Sequence, residues 1–318
     1  MIYDVIIVGG SYAGLSAGLQ LARARRNIVV IDAGQRRNRF AATSHGFLGQ
    51  DGQPPQVIAA EGRSQLMEYP TVTWVQDSAL EALQQPGGFS IRTRCNGEYQ
   101  ARRLILATGV VDELPAIEGL EERWGKRVFH CPYCHGYELD QGRIGVLATS
   151  PLAMHHALML PDWGTTTLFT NAVFTPDAEQ LVQLNRRGVT VESGKVRRIS
   201  GERVDVELDD GRVFSLDGVF TMSRTRISPL AEQLGCELLE GPTGAYVLTD
   251  DMRQTSLAGV FACGDTALAA GSVALAVGEG VGARGGGAGV LGGGGGARGG
   301  GGGVCVGHGE WVYDGGCG

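Results

Sequence analysis

The chain has 318 residues, enough for two domains at about 150 residues each, which argues against a fibrous or disordered class. Lys plus Arg number 27 against 34 Asp plus Glu, a net charge of −7 that is the wrong sign for coating nucleic acid or an anionic membrane. Glycine is abundant at 52 residues, but 20 of these fall in residues 281–318, leaving the rest of the chain with an α/β-like composition.

The N-terminal Met1-Ile2-Tyr3-Asp4 has no basic n-region, and the apolar run behind it is broken by glycines. Neither a signal peptide nor a spanning helix is expected, so the chain reads as cytoplasmic. Val5 to Val8 is a short apolar strand ending in Gly9-Gly10, and Leu15 to Ala22 continues with helical spacing. Asn27 to Ile31 is a second buried strand ending at Asp32. Phe89 to Arg94 and Tyr99 to Leu106 flank Asn96-Gly97, a hairpin signal, and the last strand runs into Ala107-Thr108-Gly109. A similar order recurs: strand Ile144–Leu147, helix Leu152–Leu160, strand Thr166–Phe169, then a hairpin around Asp210-Gly211 and a closing strand Val219–Met222. Val260 to Cys263 reads as a strand returning to the first unit.

This repeated plan predicts an α/β fold with two Rossmann-like, three-layer nucleotide-binding domains, the second inserted into the first. Residues 1–112 and 245–280 form the outer domain, 113–244 the insert, and 281–318 a low-complexity tail in which 285–303 cannot hold a helix, since each glycine costs about 1 kcal/mol.

Gly9-Gly10-Ser11-Tyr12-Ala13-Gly14 fits a dinucleotide turn with Ser11 in place of the middle glycine. The turn needs Gly9, the pyrophosphate approaches near Ser11, and the helix packs on the strand at Gly14. Asp32 is placed to accept hydrogen bonds from a ribose. Arg36, Arg37 and Arg39 are near enough to meet a phosphate, but they read first as a solvated basic loop.

Of seven cysteines only Cys131 and Cys134 are close together. In such a C-x-x-C loop one thiolate attacks a disulfide and the other resolves the mixed disulfide. His130 and His135 flank the pair; either imidazolium can stabilise a thiolate, and either imidazole can shuttle its proton. The same residues also fit C-x-x-C-H haem attachment, half of a zinc site, or an idle pair, and the spacing alone leaves these open.

Gly9 to Gly14, Asp32, Ala107-Thr108-Gly109, Leu114 to Gly119, Cys131-Pro132-Tyr133-Cys134 and Thr255 to Asp265 together resemble the thioredoxin reductase family of flavoproteins. Phe129 to Glu138 resembles the branch with gliotoxin-type dithiol oxidases, with His135 where the family usually has Asp. The resemblance implies FAD held by Gly9, Ser11, Gly14, Asp32, Thr108, Gly109, Gly264 and Asp265. It implies a catalytic set of Cys131, Cys134, His135 and His130, no metal, and a homodimer acting on a small dithiol or a thioredoxin-like protein. By position, Cys131 is the interchange thiol and Cys134 the one facing the flavin. On the same pattern Ala148 to Ala153 replaces the second phosphate loop without its glycines, and Thr170-Asn171-Ala172 stands where cations would hold a 2′-phosphate. Whether NADPH binds is therefore left open, with Arg186, Arg187 or Arg224 as possible substitutes. The expected function is a FAD-dependent thiol–disulfide oxidoreductase, able to run as a dithiol oxidase with oxygen as acceptor. The alternatives are an ordinary NADPH-dependent reductase and a non-catalytic flavin-binding redox sensor.

Overall fold

The computed structural model describes residues 2–289. Its elements run β1 (Ile2–Val8), α1 (Tyr12–Arg23), β2 (Ile28–Asp32), α2 (Pro55–Met67), β3 (Val72–Gln76), β4 (Ala79–Gln85), β5 (Gly88–Thr93) and β6 (Glu98–Leu106). A linking strand β7 (Val110–Glu113) leads to β8 (Val128–Phe129), the one-turn α3 (Pro132–His135), β9 (Gln141–Leu147), α4 (Ala153–Met159), β10 (Gly164–Phe169), α5 (Ala178–Arg186) and β11 (Thr190–Glu192). Then come β12 (Val196–Ser200), β13 (Val204–Leu208), β14 (Val213–Leu216), β15 (Gly218–Thr221) and a second linking strand β16 (Arg224–Ile227). The chain closes through α6 (Leu230–Gln233), β17 (Leu238–Glu240), β18 (Ala245–Val247), β19 (Val260–Ala262) and α7 (Val273–Gly289).

The first sheet has the order β3-β2-β1-β6-β5-β4, with β19 also paired to β6. β6 is shared along its length: residues 98–101 pair antiparallel with β5, and 104–106 pair parallel with β19. Both faces are covered at the centre of the sheet, so Val5–Val8 of β1, Ile28–Ile31 of β2 and Leu104–Leu106 of β6 are apolar runs rather than alternating. Val5 and Ile7 pack toward α1 and α7, while Ile6 and Val8 join a second core with Leu230 and Val247.

The second sheet, β11-β10-β9-β15-β8, is wholly parallel. α4 covers one face, and the antiparallel meander β12-β13-β14 covers the other through Val196, Val206 and Leu216. The hairpin at Asp210-Gly211 thus belongs to a separate three-stranded sheet rather than extending the nucleotide-type sheet. β7 and β16, the outgoing and returning connections, pair antiparallel with each other.

Helix α7 reaches Gly289 and so enters the segment where sequence composition predicts no helix; residues 290–318 of that tail lie outside the described residues. The contacts that hold this helix to α1 lie in the turns before residue 285. A Cβ on Gly280 would stand 2.2 Å from the Ala13 carbonyl oxygen, and the Ser16 hydroxyl donates to the Val277 carbonyl at 2.7 Å. Small residues let α7 lie close against α1, and that contact supports a glycine-rich helix.

Candidate active site

Gly9 and Gly14 shape the turn between β1 and α1. Gly9 has φ +106°, and a Cβ on Gly14 would come within 1.8 Å of the Gly9 carbonyl oxygen. Ser11 then starts α1 without a side-chain cap, and no acidic residue follows in the first turn. The first amides therefore have no internal acceptor, which is the geometry that receives a phosphate. Asp32, at the end of β2, accepts from the Gly10 amide at 3.1 Å.

The helix start opens into a cleft of about 220 Å³. Ser11, Thr108, Gly109, Gly264 and Asp265 line it, and so do Cys131, Cys134, His130 and His135. Gly9, Gly14 and Asp32 stand behind this wall at the turn. Residues read separately from sequence are thus gathered around one space. A tight glycine turn, unpartnered amides, apolar walls such as Ala13, Val110, Phe129 and Ala276, and a carboxylate at Asp265 suit a flavin dinucleotide.

Arg37 departs from the solvated loop that sequence predicts. Its guanidinium makes a bidentate pair with Asp112 (2.9 and 2.7 Å) and reaches Asp265 at 2.8 Å. Ser223 donates to the same Asp112 carboxylate at 2.6 Å. Burial opposes the Arg37 charge, but the two carboxylates overcome it and raise its basicity further. Burial likewise works against ionised Asp112, and Arg37 and Ser223 more than offset it, holding that carboxyl below its ordinary range. The cluster ties the cleft to residues on both linking strands or beside them.

Cys131 sits at the start of α3 and Cys134 within it, with Cys134 N donating to the Cys131 carbonyl at 3.3 Å. The Cys134 thiol donates to the Cys131 sulfur and, against burial, brings Cys131 down to about 7. The same bond, added to burial, pushes Cys134 up. Cys131 is therefore the thiolate of the pair, the property wanted in an interchange thiol.

The imidazolium role allowed by sequence is not what the surroundings favour. His135 stacks on Phe129 with ring centroids 4.5 Å apart, and burial pushes it down to about 4 despite nearby Glu138. Burial and the Arg37 charge also lower His130. Both rings are neutral at pH 7 and so do not supply a fixed positive charge beside the thiolate. His45, unmarked in the sequence, also lines the cleft, 3.4 Å from Glu138 and 3.6 Å from Asp51.

In the second unit, residues 148–152 join β9 to α4 without a glycine. Asn171 and Ala172 take φ +52° and +55°, and the Asn171 side chain turns inward to the Val196 amide at 2.8 Å. Arg187 is committed to the Leu158 carbonyl and the Asp162 carboxylate. Lys195 and Arg197 line an open groove beside Asn171, although Arg197 is itself paired with Glu207.

Two nucleotide-type sheets and a C-x-x-C pair facing the dinucleotide turn define a disulfide oxidoreductase of the thioredoxin reductase type. The chain belongs to the pyridine nucleotide-disulphide oxidoreductase family, whose profile matches residues 3–280. It is 31% identical over 279 residues to thioredoxin reductase tcpT of Claviceps purpurea, covering 83% of this chain and 86% of that one. To thioredoxin reductase aclD of Aspergillus oryzae it is 33% identical over 290 residues, covering 84% and 90%. The crystal structure of an oxidoreductase from Agrobacterium tumefaciens superimposes with a TM-score of 0.88 at 58% identity, covering 90% of this chain and 97% of that one. No helix among the described residues is long and apolar enough to cross a membrane.

Proposed function

We propose that the protein is a FAD-dependent thiol–disulfide oxidoreductase that oxidises a small dithiol, with thioredoxin-like proteins as the other substrate class its pair can meet. The observation that carries this reading is the single cleft shared by the α1 turn, Asp265 and both thiols. The outer segments 1–112 and 245–280 are read as the flavin unit, and 113–244 as the insert carrying the pair. The α1 amides after Ser11 would hold the pyrophosphate, Asp32 the ribose, and Thr108, Gly109, Gly264 and Asp265 the chain toward the ring. When bound, FAD supplies the acceptor or donor for an electron pair.

The chain's own residues do the thiol chemistry. In dithiol oxidation a substrate thiolate attacks Cys131 of the oxidised pair and releases Cys134. The second substrate thiol then closes the product disulfide and expels Cys131 as a thiolate stable near neutrality. In the reverse direction ionised Cys131 attacks a substrate disulfide. Cys134 keeps its proton until the resolving step, which His135 and His130, both neutral, are placed on the cleft to assist. Holding the two sulfurs in one turn makes resolution intramolecular and fast. The glycine-free loop at 148–152 and the inward Asn171 favour electrons entering through the thiols rather than from a nicotinamide. A second reading, an NADPH-dependent reductase, is favoured by Lys195 in the groove beside Asn171, with Arg197 there already paired to Glu207.

Anaerobic mixing of the flavoprotein with a dithiol, NADPH or NADH at equal concentration separates the two. The dithiol is expected to bleach the flavin much faster than either nucleotide, and oxygen to restore the colour with peroxide formed. Rapid bleaching by NADPH coupled to thioredoxin reduction would establish the reductase instead. A protein that purifies colourless and takes up no FAD would end both.

A further inference from the structure

His130 and His156 carry polar atoms that the fold leaves unused. His130 lines the cleft with both thiols and keeps a backbone hydrogen bond with Thr221, but its Nδ1 is buried without a partner among the described residues. His156, on α4, is only 4% exposed, does not line the cleft, and also leaves Nδ1 buried and unpartnered. The two ring centroids lie 6.3 Å apart at 70°. His156 lies 6.2 Å from His155, which is exposed on the outer side of the same helix. The three imidazoles therefore step from the cleft, through the core beneath α4, to the surface.

Packing alone does not account for His156. Apart from His130 and His155, the ring near it is Phe220, and on α4 it stands between the buried Ala153 and Ala157, where a leucine would strand no polar atom. A buried polar atom left unpaired needs a reason. Centroid separations near 6 Å are within reach of imidazoles joined through one shared water.

We propose that His130, His156 and His155 form a proton path between the thiol cleft and bulk water. The proposal rests on the thiol–disulfide reading of the site. In the step it serves, the Cys134 sulfur attacks the Cys131 sulfur of a mixed disulfide. The bond from Cys131 to the substrate sulfur breaks and the Cys131–Cys134 bond forms. The electron pair leaves with the substrate thiolate, and the Cys134 proton passes to His130 and outward. In the opposite direction the same path returns a proton to Cys134. No further oxidant enters the balance. Arg37, Asp112 and Asp265 face His130, the cation opposing its charging and the carboxylates favouring it; His130 and His155 face His156. Neither buried ring is held protonated by a dedicated carboxylate of its own in this set, so each can pass a proton on.

The test uses the purified flavoprotein, reduced with excess dithiol, desalted without oxygen and mixed with dithiobis-nitrobenzoate while the coloured thiolate is followed by stopped flow. The phase lost in Cys131→Ser belongs to the pair. In the wild type its rate is expected to be independent of imidazole at fixed pH. His156→Leu is expected to slow it on the order of tenfold, less than loss of a direct general acid–base group, to enlarge the solvent deuterium effect, and to recover with added imidazole. His155→Gln, on the surface, is expected to show a smaller slowing with the same recovery. Wild-type rates and isotope effects in both variants would overturn the path. So would a His156→Leu loss that imidazole leaves untouched beside an unchanged His155→Gln, which assigns His156 to packing. Absence of any Cys131-dependent phase in the wild type would overturn the thiol–disulfide reading itself, a result distinct from the other two.

Discussion

A thiol brought down to about 7 is half ionised at neutral pH, and in Cys131 that state depends first on a hydrogen bond from Cys134. Alkylation of Cys131 in the reduced protein is therefore expected to rise with pH about a midpoint near 7. Cys134→Ala removes the donor, and the midpoint should climb toward the ordinary cysteine value of about 8.5. Peptide-level mass spectrometry across a pH series checks both; an unmoved midpoint would transfer the role to the Cys134 and Tyr133 amides and then Arg37. The pair itself is legible in sequence because its chemistry is local, two sulfurs within one turn. Arg37 is not, since its partners Asp112 and Asp265 lie 75 and 228 positions away. Nothing near residue 37 distinguishes an arginine bound to two carboxylates from one in water. The neutral state of the two flanking histidines is equally hidden, because burial decides it and burial is set by the fold.

At the scale of elements, the β1–α1 turn has little tolerance. Gly14→Ala would drive a methyl into the Gly9 carbonyl, and overpacking of this kind costs about 1–3 kcal/mol or more. Gly211→Ala is the contrast, with φ +86° but open space around the added atom, and should cost only the backbone strain of about 1 kcal/mol. Denaturation midpoints, read together with the flavin-to-protein absorbance ratio, should show Gly14→Ala losing both stability and cofactor and Gly211→Ala keeping the cofactor. Elements with strong local signals were readable: the apolar run into Gly9, the Asn96-Gly97 hairpin and the strand entering Gly264. α2 and β4 were not, because both leave much of their length exposed and carry weak periodicity. The true place of the Asp210-Gly211 hairpin was hidden for another reason. A hairpin signal fixes the pairing of two strands but not the sheet they join. α7 runs on to Gly289 although the composition from residue 285 disfavours a helix; its contacts with α1 lie earlier, at Val277 and Gly280.

For the molecule as a whole, the buried imidazoles make stability depend on pH. Burial pushes His156 down to about 4, whereas the unfolded chain would titrate near the ordinary 6.5. Between those values the unfolded state binds more protons, so this contribution is intact above about 6.5 and is lost as pH falls toward 4. At pH 5 His156 alone should cost about 2 kcal/mol relative to pH 7, and His156→Leu should shrink that difference correspondingly. Urea unfolding at the two pH values measures it. The layout of the first sheet has a consequence for synthesis. β19 pairs with the C-terminal half of β6, and α7 covers α1, yet both are made only after the sheet of β8 to β15 has been translated. On the ribosome the half begun first is completed last. Until residue 260 emerges, part of β6 has an open edge and one face of α1 has no cover, so prematurely ended chains should be the ones most dependent on chaperones.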